Sequence, residues 1–486
     1  MSRVRASVLA SAADRYASQA LTVVTLAVMS RLLTPAEIGL YLVVSSLIML
    51  ADNFRAFGVG LYIVQTPVLR RDDLRAAFTV TLVLSVAIGL GTLASAGWIA
   101  GFYGSPELER LLAVASLGFF AIPFGSPLLS VLQRELAFGT LAKFNVIAAG
   151  LNSLVTVTLA LLGHGPISYV WGYVVSTFFL SVAAVTMRPD LRVFRPSLRG
   201  VRQVLTFGGV STFVGLVNMV NDMVPRLVFA KLLGLDAAGF YGRALTVCQL
   251  PDRAILSAIQ PVVLPAMAAH ARAGGDLKES YLRGLTLITS VQWPTLVLLA
   301  LLADPVVRVL LGAQWEAAAP LVRIVALGMT ALAPALMTFP LLMTTGRMRD
   351  ALLASVIAVP PSLAVSVGAA HFGLTAVAAS VLVTAPFQML VALHFVRRAI
   401  GLGWGEIIRA ARASLALTAA TALVPLAVIL FSPHGFGLGW AETAVAVLGA
   451  AGGWAALLVA IDHPIRGEIL AVTRILAAVF DRRRIA

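Results

Sequence analysis

Apolar runs of about twenty residues, the length a helix needs to cross a hydrocarbon core about 30 Å thick, recur from one end of this chain to the other. The connections between them are mostly too short to fold alone. Lipid offers no partner to a free backbone N–H or C=O, so each run must be helical. The weak alternation over about ten residues that marks a membrane barrel is not seen. Composition agrees, because 59% of the 486 residues are hydrophobic and only 12% are charged. The mean hydropathy of +0.94 excludes the several soluble domains that this length would otherwise suggest. The expected fold is an all-α polytopic membrane protein.

Fourteen spans are expected, at 9–31, 38–63, 77–101, 108–131, 139–162, 166–187, 204–232, 238–264, 283–303, 318–343, 350–370, 374–396, 409–431 and 440–461. The net charge of +14 could suit a nucleic-acid binder, but the basic residues fall in every second connection instead of one patch. One set of connections carries Arg70, Arg71 and Arg75, then Arg188, Arg192, Arg195, Arg199 and Arg202, and later Arg397, Arg398, Arg409 and Arg412. The other set holds only Arg31, Arg110, Lys231, Arg308 and Arg323. The positive-inside rule then places both termini in the cytoplasm. The basic start MSRVRASVLASAADRYASQ is interrupted by Asp14, Arg15 and Gln19, so it reads as a retained first helix, not a cleaved signal.

The chain repeats itself. VMSRLLTPAEIGLYLVVSSLIMLAD is echoed two hundred residues later: Leu32, Leu33, Gly39, Tyr41 and Asp52 answer Leu232, Leu233, Gly239, Tyr241 and Asp252, and Arg31 answers Lys231. A weaker echo joins Leu111–Phe120 to Leu321–Thr330. Both copies start on the same side, so two six-helix bundles, 1–195 and 196–400, are expected in a pseudo-two-fold parallel repeat. Two additional helices (401–463) and an amphipathic cytoplasmic tail helix (464–486) on the lipid surface complete the chain.

Catalytic signatures are missing. Lys143, Lys231 and Lys278 are the only lysines and none follows a glycine, which excludes a phosphate-cradling GxxxxGK[ST] loop. The six histidines form no HExxH, and Cys248 is the single cysteine, so neither a disulfide nor a cysteine-rich metal site is possible. No enzyme activity, cofactor or metal is expected. Attention falls instead on charge inside the spans: Asp14, Arg15, Asp52, Arg55, Asp222, Arg226, Arg243, Asp252 and Arg253. Each costs about 2.5–3.5 kcal/mol at the bilayer centre, so these groups should face a protein interior or a wet cavity. Asp222 with Arg226 (i,i+4) and Asp52 with Arg55 (i,i+3) can also neutralise one another on one helix face. Asp14, Arg15 and Arg243 lie near span ends, from which they can snorkel to the interface. The adjacent pairs Asp14–Arg15 and Asp252–Arg253 point about 100° apart and need partners elsewhere. Five arginines against four aspartates suit an anionic group such as a phosphate. Prolines 225, 251, 261, 265, 334 and 340 should kink their helices, with Pro225, Pro251 and Gly239 as candidate hinges.

The stretch NDMVPRLVFAKLLGLDAAGFYGRALTVCQLPDRAILSAIQPVVLPAMA resembles the seventh-and-eighth-helix signature of the polysaccharide transporter family. These are the bacterial lipid-linked oligosaccharide flippases of the multidrug/oligosaccharidyl-lipid/polysaccharide superfamily. MSRLLTPAEIGLY resembles that family's motif after the first helix, and the likeness runs on through QWEAAAPLVRIVAL. The resemblance implies two six-helix bundles around a central cavity in the bacterial inner membrane. It also implies ion-coupled alternating access, moving undecaprenyl-diphosphate-linked oligosaccharide from the cytoplasmic to the periplasmic face. Asp222 and Arg226 match the family's acid and base in helix seven, and Gly239, Tyr241 and Pro251 match its structural positions. The implied partners are that lipid-linked substrate, membrane lipids, a coupling proton or sodium ion, and candidate polymerase and chain-length proteins, with no nucleic acid. A multidrug or cation antiporter of the same superfamily and a non-transporting scaffold of a polysaccharide assembly complex are the alternatives.

Overall fold

The computed structural model describes residues 2–56, 58–188, 191–272 and 276–461; for 2–16, 191–192, 207–218, 220–222 and 254–272 it describes the backbone alone. Helix is the only regular structure among these residues, as lipid demands. The α-helices run in order α1 (Ser2–Leu32), α2 (Pro35–Ala56), α3 (Val59–Gln65), α4 (Arg71–Tyr103), α5 (Glu107–Arg134), α6 (Phe138–Leu161) and α7 (Ile167–Met187). Then come α8 (Val201–Leu232), α9 (Leu235–Arg272), α10 (Leu277–Leu301), α11 (Ala303–Leu310), α12 (Ala319–Thr330) and α13 (Thr338–Thr344). The last four are α14 (Met348–Ala370), α15 (Leu374–Ile400), α16 (Trp404–Phe431) and α17 (Trp440–Ala460). Among the described residues ten helices are long and apolar enough to cross a membrane, or eleven if the bent run containing α12 and α13 is one span.

The two repeat copies begin their helices differently. α2 starts on a capping box: the Thr34 hydroxyl accepts from the Glu37 N–H (3.3 Å) while the Glu37 carboxylate accepts from the Thr34 N–H (2.8 Å). Pro35 fits the first helical position because its missing N–H would have been an orphan there. α9 instead follows Gly234 at φ 92°, a left-handed turn open to glycine.

Two expected spans are broken. The run 38–63 is α2 followed by α3, with Gly58 at φ 64° in the break. Arg134 closes the far end of α3. Its Nη1 donates to the carbonyls of Ile63 (2.8 Å), Val64 (3.3 Å) and Thr66, and its Nη2 to that of Pro67 (3.0 Å). These are helix-end acceptors with no intrahelical donor. The run 318–343 bends by 45°. Pro334 sits in the 3-10 turn Ala333–Ala335 at the bend, where it supplies no N–H, and the buried Tyr281 hydroxyl donates to its carbonyl at 2.9 Å.

Several hydroxyls within the helices are satisfied locally. Ser30, Thr81, Ser362 and Thr421 each donate to the carbonyl one turn back, at 2.7–2.9 Å. This makes them tolerable in an apolar surrounding.

By packing, the chain forms two compact units: 1–242 with 310–314, and 243–309 with 315–486. The first unit is centred on Leu40, Val43, Leu108, Leu111 and Phe119, and Ala230 of α8 and Ala238 of α9 belong to the same core. In the second unit the late helices fasten onto α10 by polar contacts. Thr289 donates to Ser414 (2.8 Å), Trp454 Nε1 to the Ser290 carbonyl (3.1 Å), and Lys278 pairs with Glu406 (2.7 Å). The tail 464–486, expected as an amphipathic helix, lies outside the described residues.

Candidate functional site

In the first unit α2 presents Asp52 and Arg55 three residues apart, so both lie on one face. Arg55 Nε donates to Asp52 Oδ1 at 2.7 Å; the arginine side chain is 9% exposed and the aspartate 46%. Self-neutralisation is therefore realised for this pair. The pair also forms part of the wall of a cavity of about 630 Å³ between α2, α5, α6 and α7. Gln133, Asn145, Tyr173 and Thr177 line the same space, which thereby offers amide and hydroxyl groups of both hydrogen-bonding senses. Asp52 takes one of the five N–H donors of the guanidinium, so the arrangement suits a polar or anionic group.

In the second unit Asp252 accepts a hydrogen bond from Gln292 Nε2 of α10, 2.5 Å away. Gln292 is 1% exposed, and its Oε1 has no hydrogen-bond partner. Arg253, one residue on, is exposed and donates to Gln249 Oε1 of its own helix at 3.2 Å. Neighbours on a helix diverge, and the expected separation of Asp252 from Arg253 is what the structure has. Arg243 is buried at 7% exposure with its guanidinium 5.9 Å from the Trp315 ring, so it does not reach outward by snorkelling.

Gly239 and Gly39 mark a close approach of the two repeat copies within the first unit. A Cβ on Gly39 would strike the Leu235 carbonyl oxygen, and one on Gly239 would strike the Pro35 carbonyl oxygen. Only glycine lets the backbones come this near. Gly239 thus acts as a contact point inside an unbroken α9, and Pro225 and Pro251 likewise lie within continuous helices, α8 and α9. Arg226 is half-buried on α8. The side chains of Asp14, Arg15 and Asp222 lie outside the described residues.

Sequence reasoning centred on charge misses Gln292, Gln133, Asn145 and Tyr173. The available signal was an amide inside an apolar run, as in SVQWPTL, because such a group also needs a partner in lipid.

The profile of a family described as "Polysaccharide biosynthesis protein" matches residues 28–320, more than half of the chain. The chain belongs to this family. Within it, the sequence is 25% identical over 309 residues to the lipopolysaccharide biosynthesis protein WzxC of Escherichia coli (strain K12), covering 63% of this chain and 62% of that one. It is 26% identical over 337 residues to the succinoglycan biosynthesis transport protein ExoT of Rhizobium meliloti (strain 1021), covering 67% and 66%. The matched stretch is thus less than two thirds of either relative's length. Among solved structures the fold is similar to the lipid II flippase MurJ in an inward closed conformation, with TM-score 0.77, 12% identity, and 93% of this chain and 99% of that one covered. An inward-facing multidrug resistance MATE family transporter follows at TM-score 0.63 and 17% identity, covering 80% and 94%. This polysaccharide biosynthesis family member therefore has the fold shared by MurJ and MATE transporters, and the resemblance drawn from its motifs is borne out.

Proposed function

We propose that the protein is a flippase carrying undecaprenyl-diphosphate-linked oligosaccharide repeat units from the cytoplasmic to the periplasmic face of the bacterial inner membrane by ion-coupled alternating access. The observation that carries this reading is the combination of membership in the polysaccharide biosynthesis family with a fold like that of a lipid flippase over nearly the full length of each chain. The buried Arg55 beside a polar cavity supports it, since a diphosphate needs donors in a low-dielectric site and a guanidinium supplies several at once. Arg226, Arg243 and Arg253, with Asp14, Arg15, Asp222 and Asp252, are the further candidates for the head-group path.

On this reading fourteen spans are reached when α1, α8, α9 and the bent α12–α13 run each cross with the ten apolar helices. The bundles 1–195 and 196–400 then form the transport core, with 401–463 and the tail 464–486 appended. Both termini are cytoplasmic, and a polymerase and chain-length proteins act on the product. The test is complementation in a strain lacking its own flippase. Arg226→Ala or Asp222→Ala should abolish polysaccharide export at an unchanged protein level, and export that continues would sink the assignment.

A further inference from the structure

A second cavity lies on the side of the arginine-rich connections, between the end of α3 and the first two turns of α8, both in the first compact unit. Its volume is about 700 Å³, within the range of about 300–1,000 Å³ that holds a small ligand. None of its lining residues borders the cavity at Arg55. The α3 side contributes Tyr62, Gln65 and Thr66, and α8 contributes Arg202, Gln203 and Thr206.

The two walls are fixed against each other. Val59, Tyr62 and Ile63 of α3 share one core with Val204 of α8, and both Ile63 and Val204 are fully buried. The carbonyls at the end of α3 are already taken by Arg134, so side chains decide what this cavity offers. A wall held in this way is ordered before a ligand arrives.

Hydrogen-bond sense narrows the ligand. The Thr66 hydroxyl donates to the Tyr62 carbonyl (2.7 Å), and the Thr206 hydroxyl donates to the Arg202 carbonyl (2.8 Å). The Tyr62 hydroxyl donates to Asp73 Oδ1 (3.2 Å), and Asp73 is held in turn by the Arg70 N–H, which donates to its Oδ2 at 2.8 Å. Each of these three hydroxyls gives its single proton to the protein, so toward a ligand it can only accept. Gln65 and Gln203 are exposed amides that both donate and accept, and the exposed Arg202 only donates. No lining residue is acidic. A ligand suited to this set carries several O–H donors, several acceptors and one negative charge. A phosphodiester or a lone carboxylate lacks the O–H groups, and a diphosphate asks for more than one cation. A sugar ring bearing one carboxylate has all three.

We propose that this cavity binds an acidic sugar of the oligosaccharide on the cytoplasmic side and so selects which saccharide is carried. The inference rests on the flippase reading above for the source of the sugar, and it gives the saccharide a recognition site apart from that of the diphosphate. Arg202 pairs with the carboxylate, Gln65 and Gln203 bridge neighbouring hydroxyls, and Tyr62, Thr66 and Thr206 accept from the others. Asp73 is a positioning residue that holds the phenol of Tyr62.

The experiment is saccharide binding to the purified full-length protein in phosphatidylcholine nanodiscs, read by titration calorimetry. The probes are disaccharides containing glucuronic or galacturonic acid, their neutral glucose and galactose counterparts, and inorganic phosphate. An acidic disaccharide should bind, and its neutral counterpart about tenfold more weakly for want of one charge-assisted contact. Arg202→Gln should bring the two to equal affinity, and Gln65→Leu or Gln203→Leu should weaken both about fivefold. These three side chains are exposed, so the substitutions leave the core intact. Arg199→Gln removes an exposed arginine of the same connection that does not line the cavity, and it should change nothing.

No binding of any disaccharide overturns the site. Phosphate that displaces the acidic disaccharide at equal concentration, amide variants that bind as well as the parent, or Arg199→Gln as damaging as Arg202→Gln would each leave only a basic surface and overturn the sugar assignment. Saccharide binding lost in nanodiscs containing phosphatidylglycerol would give the cavity to a lipid head group instead. Binding is read without translocation, so the two readings fail separately. Binding without export in a flippase-deficient strain sinks the flippase and leaves the site, whereas export without binding sinks the site alone.

Discussion

Asp52 and Asp252 occupy the same position in two copies of one motif, yet they are partnered in different ways. Asp52 finds Arg55 one turn along its own helix, at 2.7 Å. The residue at the matching place in the second copy is Ile255, so Asp252 has no basic residue three positions on. It reaches across to Gln292 of α10 instead. The difference teaches that a repeat can preserve the acid while one substitution three residues away decides whether its partner is local or tertiary. The first copy thereby builds a self-contained ion pair at the wall of a cavity, and the second ties two helices together.

Removing the local partner should have the largest effect. Arg55→Ala leaves the half-exposed Asp52 carboxylate without its charged donor at the cavity wall and should cost about 2–3 kcal/mol, read as a lower melting temperature in detergent. The double variant Asp52→Asn/Arg55→Ala should recover most of that loss, and failure to recover would mean that the arginine serves something other than its aspartate.

Next comes Gln292→Leu, which strips Asp252 of its donor and should cost about 2 kcal/mol. Adding Ile255→Arg transplants the first copy's solution and should return part of the stability. No recovery would show that the second copy cannot be made like the first.

Gly39→Ala and Gly239→Ala each drive a methyl group into a backbone carbonyl and should cost about 1–2 kcal/mol apiece. Here the copies are expected to behave alike, so one variant silent and the other damaging would break the reciprocity. The smallest effect belongs to Arg253→Ala. That side chain is exposed and, among the described residues, bonded to Gln249 on its own helix, and no shift in melting temperature is expected.

Much of the fold was legible because lipid permits so few solutions. A long apolar run must be a helix, and the helices fall where the runs do. The broken spans were less legible for local reasons. Gly58 permits a left-handed residue that no hydropathy pattern records, and four carbonyls in and just after the last turn of α3 are closed by Arg134 from some seventy positions away in sequence. In the candidate site, the i,i+3 spacing of Asp52 and Arg55 announced their pairing. Nothing in the spacing of Asp252 pointed to Gln292, since a tertiary partner leaves no periodic trace. The amides Gln133 and Asn145 were overlooked because uncharged polar residues barely disturb a hydropathy average, though they need partners in lipid as charged ones do.

The sequence by itself determined that the chain is helical and membrane-spanning, that it repeats itself two hundred residues on, and that it belongs with polysaccharide biosynthesis proteins. Each of these is written in composition, periodicity or motif and survives without coordinates. Tertiary structure decided which side chain partners which acid, where a span breaks, and that the two copies meet through Gly39 and Gly239 instead of standing apart. The reason is the range of the interactions. Solvation by lipid acts on every residue wherever its neighbours lie, whereas hydrogen bonds and close packing act over a few ångströms and exist only once the helices have been brought together.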